Sequence, residues 1–143
     1  MLEIADLRVA IGRTPILNGV SLSCGKGERL GIVGESGSGK TMTALAVIGL
    51  LPEGAEATGR VALNGEALLG RSEEEMTRIR GRKVSMIFQD SLTSLDPLMR
   101  VGNQMSLPVR LRGVGKAEAR ARVVDLMGEV RIDRPAERFR AYP

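Results

Sequence analysis

The sequence predicts an α/β fold in which a strand-rich amino half carries a glycine-rich loop and a helical portion follows it. Three observations point there. The apolar run Leu30-Gly31-Ile32-Val33 leads into Gly34-Glu35-Ser36-Gly37-Ser38-Gly39-Lys40-Thr41, after which no Gly or Pro occurs until Gly49. Strand signals crowd the first 90 residues, and the clearest amphipathic helix lies beyond them, at 116–130. Strands first and helices last is the pattern of a helical subdomain set on a strand-rich one.

Taken in order, residues 2–9 alternate imperfectly and 16–23 alternate better, so both read as strands around a Gly-Arg-Thr-Pro turn. Residues 25–28 form a second turn. The unbroken run 30–33 reads as a strand buried on both faces. A helix opens at the glycine-rich loop, with Leu45, Ile48 and Leu51 at helical spacing, and stops at Pro52. Residues 52–59 read as a loop, 60–63 as a strand, and Asn64-Gly65 as a tight turn. Ser72-Glu73-Glu74-Glu75 matches a capping box that starts a helix through about Ile79. Residues 84–88 form another buried-type strand ending at Gln89, and 101–112 a helix broken at Pro108. In 116–130, Ala119, Val123, Leu126, Met127 and Val130 share one face, while Arg120, Arg122, Asp125 and Glu129 lie away from it.

Composition narrows the function classes. The 143 residues are 43% hydrophobic, enough for a modest core, and the longest apolar segment, 44–51, is far shorter than the roughly 20 residues that span a bilayer. Glu3 and Asp6 stand where a secretory leader would be basic and then apolar, so a cytosolic or cytosol-facing chain is expected. The single Cys24 reads as a small strand residue. A net charge of +4 invites a nucleic-acid reading, but acids interrupt the basic residues and only one Tyr and two Phe could stack on bases, so no nucleic-acid partner is expected. The absence of histidine removes the commonest general base and zinc ligand.

Residues 34–41 satisfy the spacing G-x-x-x-x-G-K-[ST] at every fixed position. Glycines at that spacing let backbone N–H groups converge on phosphate oxygens, and the following helix adds the positive end of its dipole. Lys40 is expected to reach the β- and γ-phosphates of ATP, and the Thr41 hydroxyl to bind Mg²⁺. Gly34, Glu35, Ser36, Gly37, Ser38, Gly39 and Met42 complete the expected nucleotide-binding set. Gln89 ends a strand, where open α/β sheets bind ligands; its neutral amide can ligate Mg²⁺ but lacks the basicity to take a proton.

A second region chooses among phosphate-loop proteins. Val84-Ser85-Met86-Ile87-Phe88-Gln89-Asp90, with Thr93-Ser94-Leu95-Asp96-Pro97 and Val101-Gly102-Asn103-Gln104, resembles the Q-loop region of ABC transporter ATP-binding subunits. Together with residues 34–41, Ile48-Gly49-Leu50-Leu51-Pro52 and Arg80-Gly81, it resembles the peptide/nickel importer group over nearly the whole chain. That resemblance implies a phosphate-loop NTPase-type ABC ATPase fold in incomplete form, with residues 1–89 as the strand-rich ATP-binding core and 90–143 as part of the helical subdomain. It implies that Gln89 faces the γ-phosphate, positions water and Mg²⁺, and links the site to the helical subdomain. It also implies permease partners in the membrane, a second ATP-binding subunit, an indirect link to a solute-binding protein, and a peripheral place on the cytoplasmic membrane face.

Three departures from the family pattern matter. The position where the family usually stacks an aromatic ring on adenine falls at Ile11, which can cover a base but not stack on it; sheet packing explains Ile11 equally well. Ser91 replaces the importer group's usual proline. The family's signature, its Walker B aspartate with the adjacent glutamate, and its switch histidine are not found in these residues, and neither Asp90 nor Asp96 matches a buried strand-end base. The chain is therefore expected to bind ATP and to hydrolyse it poorly by itself. The alternatives are an ABC ATPase of DNA repair or translation type and a non-enzymatic nucleotide-binding fragment.

Overall fold

The computed structural model describes residues 1–89 and 94–143. Asp90, Ser91 and Thr93 lie outside the described residues. The chain divides into two compact units, Met1–Met86 and Ile87–Pro143.

The first unit is built on a four-stranded antiparallel sheet of order β2-β1-β3-β4, with β1 Leu2–Ile11, β2 Thr14–Cys24, β3 Ala55–Leu63 and β4 Glu66–Ala67. The imperfect alternation of β1 has a structural cause. Asp6 takes a left-handed backbone (φ 47°) and the register shifts on both sides of β1 there. One extra residue changes the phase, so Ile4, Leu7 and Val9 all face the core. The Asp6 N–H, lost to the ladder, donates to Ser21 Oγ at 2.9 Å. Gly59 of β3 passes so close that a Cβ there would stand 2.2 Å from the Asp6 carbonyl oxygen.

Helices α1 (Lys40–Ile48) and α2 (Glu73–Ile79) supply the rest of this core. Leu7, Val9, Leu17 and Val61 of the sheet meet Ala46 and Val47 of α1 and Met76 and Ile79 of α2. Each fully buried side chain of this size contributes about 1.5–3 kcal/mol. The capping box on α2 forms as its sequence requires: Ser72 Oγ accepts from Glu75 N at 3.3 Å, and Ser72 N donates to Glu75 Oε2 at 2.9 Å.

Several local expectations need correction. Residues 30–33 and 84–88 are not strands, and Leu30, Ile32, Val33, Ile87 and Phe88 are exposed. A strand of the buried type exists only through hydrogen bonds to neighbours, and among the described residues the four strands pair with one another; Val84 makes an isolated bridge to Arg80. Residues 52–59 are not all loop, because β3 begins at Ala55 and pairs with Ile11. Helix α1 ends at Ile48, before Pro52, where Gly49 closes it by donating to the Ala46 carbonyl.

The second unit contains α3 (Val101–Arg110), α4 (Lys116–Glu129) and the short α5 (Pro135–Arg138). Val123, Met127 and the Phe139 ring form its core, with Val101, Met105 and Val109 of α3 packed on them. The first amides of α3 are satisfied by the chain's last turn: Val101 N donates to Ala141 O and Gly102 N to Phe139 O. Pro108 does not break α3; it lies within it. On α4 the buried stripe is Ala119, Val123 and Met127 at four-residue spacing, whereas Leu126 and Val130 are exposed, since a helix of about 21 Å presents one narrow line to α3.

Ahead of α3, Gln104 clasps the turn at Asp96. Its amide oxygen accepts from Asp96 N at 2.8 Å while its NH₂ donates to the carbonyls of Asp96 (2.8 Å) and Met99 (2.7 Å). The Asp96 carboxylate accepts from Leu98 N at 2.8 Å, which commits it to holding the turn.

Candidate functional site: the phosphate loop

The glycine-rich segment forms a compact loop that leads into α1. Ser38 N donates to Glu35 O at 3.2 Å, closing a turn over Ser36 and Gly37. Gly39 then caps α1 in a left-handed conformation (φ 91°), and both the amide and hydroxyl of Thr43 bond its carbonyl, at 2.9 and 3.0 Å. Only glycine suits this position. A Cβ on Gly39 would lie 2.4 Å from Cδ2 of Leu17, a buried β2 residue that backs the loop.

No side chain caps α1, so the amides of its first turn keep their donors for a ligand, and the helix dipole places partial positive charge there. Lys40 Nζ folds back over the loop, donating to the carbonyls of Gly34 and Glu35, each at 2.7 Å, and to Ser38 Oγ at 3.3 Å. A cation held by neutral carbonyls has no counter-charge of its own, which suits an incoming phosphate. The Thr41 hydroxyl is exposed and has no protein partner among the described residues. These features fit a phosphate-bearing ligand with a divalent cation beside Thr41. No group of three metal-ligating side chains exists among the described residues.

The remaining sequence-derived candidates are distributed differently. Glu35 and Ser36 are exposed at the loop tip. Met42 is half-buried and packs on the core of the first unit. Ile11, half-buried, ends β1 between Thr14 of β2 and Ala55 of β3. Gln89 is exposed and belongs to the second unit, whereas residues 34–41 belong to the first.

Two supporting residues are given no role at the site by the sequence. One is Leu17, an ordinary apolar strand residue until the loop is seen against it. The other is Arg80, which reaches back 31 residues or more to the far end of α1. Its Nε donates to Ile48 O at 2.7 Å and an Nη to Gly49 O at 2.8 Å, while its fork grips the Glu73 carboxylate at 2.5 and 3.0 Å. A guanidinium on the last carbonyls complements the negative end of the helix dipole. The same contact, first by hydrogen bond and then by charge, holds the Glu73 carboxyl below its ordinary pKa.

Val84 and Met86 meet Leu2, Ile4, Leu30 and Ile32 around a largely apolar groove of about 300 Å³ beside α1. Among the described residues no helix is long and apolar enough to cross a membrane.

Comparison with known proteins gives this geometry a family. The ABC transporter domain family matches residues 17–142. The chain is 43% identical over 150 residues to an oligopeptide transport ATP-binding protein, OppD, of Mycobacterium tuberculosis, covering 100% of this chain and 24% of that protein. It is 40% identical over 148 residues to OppD of Salmonella typhimurium (100% and 44%) and 39% identical over 150 residues to a probable D,D-dipeptide transport ATP-binding protein of Escherichia coli (100% and 46%). The chain thus spans about a quarter to just under half the length of these curated relatives. With the loop, the mixed α/β architecture and a match over most of its length in agreement, the chain belongs to the ABC transporter family.

Proposed function

We propose that the chain is part of the ATP-binding subunit of an ABC importer for peptides, working peripherally at the cytoplasmic membrane face with permease subunits and a second ATP-binding subunit. The observation that carries this reading is the phosphate loop, with its ammonium held only by neutral oxygens among the described residues and its open helix terminus, in a chain whose relatives above are named for peptide transport. Those names favour transport over a DNA-repair or translation role.

In this reading the loop amides and Lys40 would hold the β- and γ-phosphates, and Thr41 and Gln89 would supply oxygens to Mg²⁺. ATP supplies the phosphoanhydride whose cleavage drives transport. For Lys40 to reach a phosphate it must leave the carbonyls of Gly34 and Glu35, exchanging two neutral acceptors for a charged one, and that exchange is favourable. The described residues around the loop include no group suited to activate water. The chain has no histidine, and Glu35, the one carboxylate of the loop, is exposed at its tip with no side-chain partner among the described residues to orient it. The 143 residues by themselves therefore bind ATP and turn it over negligibly.

Calorimetric titration with Mg-ATP, together with a single-turnover assay, tests the proposal. Lys40→Ala is expected to weaken binding roughly tenfold to a hundredfold, the loss of a charge-assisted contact. Equal affinity in wild type and Lys40→Ala, or fast Lys40-dependent hydrolysis by this chain alone, contradicts it.

A further inference from the structure

The second unit holds a cavity of about 910 Å³ bounded by α3, the first turn of α4 and the segment at Phe139. Five cationic side chains line it, Arg100, Arg110, Lys116, Arg120 and Arg140, and no acidic residue does. Among the described residues none of the five has a salt-bridge partner. The nearby carboxylates are engaged elsewhere, Glu118 with Arg122 at 2.6 Å and Glu137 with Arg134 at 3.2 Å. Residues 87–143 contain ten basic and seven acidic residues, so this unit carries three of the chain's four net positive charges. Gathering five unpaired cations about one hollow raises its potential and disfavours the ligand-free state through mutual repulsion.

Two of the five are already oriented. The Arg120 guanidinium lies 5.3 Å from the centroid of the Phe139 ring and that of Arg100 lies 5.6 Å from the Tyr142 ring. Phe139 is itself fixed, buried against Gly102 where a Cβ would sit 2.2 Å from the ring. A guanidinium held over an aromatic ring keeps N–H donors for a ligand and loses less entropy on binding a forked acceptor. The start of the 14-residue α4 adds to the same wall: Gly115 offers no side-chain cap, and Lys116 follows it.

We infer that this hollow binds a multiply phosphorylated small molecule, at a site separate from the phosphate loop. The volume is that of a small-molecule site, roughly 300–1,000 Å³. Clustered phosphates match five cations with one compact ligand, whereas separate carboxylates would each have to be delivered by their own residue. Arginine forks take phosphate oxygens in pairs.

The test is an amide NMR titration of the full 143-residue chain with inorganic pyrophosphate. Saturable shifts are expected at Lys116, Ala117 and Arg120 as well as in the phosphate loop. In Lys40→Ala the shifts at Lys116, Ala117 and Arg120 persist. In Arg110→Glu/Arg120→Glu they weaken by about tenfold or more, while Arg110→Lys/Arg120→Lys retains most of the response. Lys116→Gln/Arg140→Gln provides a milder pair should charge reversal unfold the unit. Shifts confined to residues 34–41 overturn the inference, as does affinity unchanged in the charge-reversed pair or, should that pair unfold, in the neutralised one. So does binding only to phosphatidylglycerol vesicles or to an acidic peptide, with no response to pyrophosphate.

Discussion

Replacing Gly39 by alanine joins the fold to the site in one measurement. The left-handed backbone there (φ 91°) costs an L-residue about 1–2 kcal/mol. The new methyl would also stand 2.4 Å from Leu17 Cδ2, more than 1 Å inside normal contact at about 3.5–4.0 Å. Leu17 is 4% exposed and packed against the core, so it yields only by disturbing its neighbours, at about 1–3 kcal/mol. Gly39→Ala is therefore expected to destabilise the first unit by about 2–5 kcal/mol and to weaken Mg-ATP binding with it. Leu17→Ala alone opens a cavity and costs about 2–5 kcal/mol. In that background Gly39→Ala meets no side chain and should cost only the backbone part, leaving a coupling of about 1–3 kcal/mol between the sites. Urea unfolding followed by far-ultraviolet circular dichroism, the chain having no tryptophan, supplies the stabilities; calorimetry supplies the affinities. Additive effects, or a Gly39→Ala protein within about 0.5 kcal/mol of wild type, would refute the claim that Leu17 backs the loop.

Four further outcomes are expected. Gly59→Ala sets a Cβ against the backbone oxygen of Asp6, which cannot rotate away, and should cost about 3 kcal/mol or more in urea unfolding, with β1–β3 amides exchanging faster. Arg80→Met keeps the stem but strips the last carbonyls of α1 of their donor; a loss of about 1–2 kcal/mol is expected, and wild-type stability would count against the cap. Gln104→Ala removes three hydrogen bonds from the Asp96 turn, so hydrogen exchange at Asp96 and Leu98 should rise sharply while the first unit is unaffected. Glu75, bonded by the Ser72 amide and hydroxyl, Glu73 on Arg80 and Glu66 on Lys83 all titrate below the ordinary 4.5. Depressed folded-state values give stability that is present above about pH 4.5 and lost as pH falls through the folded values. Melting temperature should fall on acidification below that point, less steeply in Ser72→Ala, and a rise would contradict the sign.

What could be read from the sequence was whatever is decided locally. The spacing of Gly34, Gly39, Lys40 and Thr41 determines a loop and helix start, and Ser72 with Glu75 determines a cap, because each partner lies within a turn of the other. The phase change in β1 was visible only as poor alternation, since a bulge at Asp6 is fixed by neighbours on two other strands, Ser21 and Gly59. Residues 30–33 and 84–88 show the opposite failure. An apolar run states how much surface a segment seeks to bury but not which backbone will pair with it, and among the described residues these segments border a groove rather than a strand. Leu126 and Val130 were assigned to the buried face by periodicity alone, although the contact line to α3 needs only Ala119, Val123 and Met127. Arg80 stands out in the sequence only as part of a family resemblance; its role as a cap is hidden because the groups it caps are carbonyls, which every residue possesses.

That arginine changes how the nucleotide site can move. Helix α1 is nine residues, about 13 Å, with Gly39 at its front seated against Leu17 of β2 and Arg80 tying its rear to Glu73 of α2. A rod anchored at both ends does not slide like a piston. Adjustment to a phosphate must come from peptide rotations within residues 34–39 and from the swing of Lys40, while any tilt of α1 is delivered through Arg80 to Glu73 at the head of α2. In this arrangement the loop takes up the adjustment, and the helix behind it works as a strut that carries load into α2.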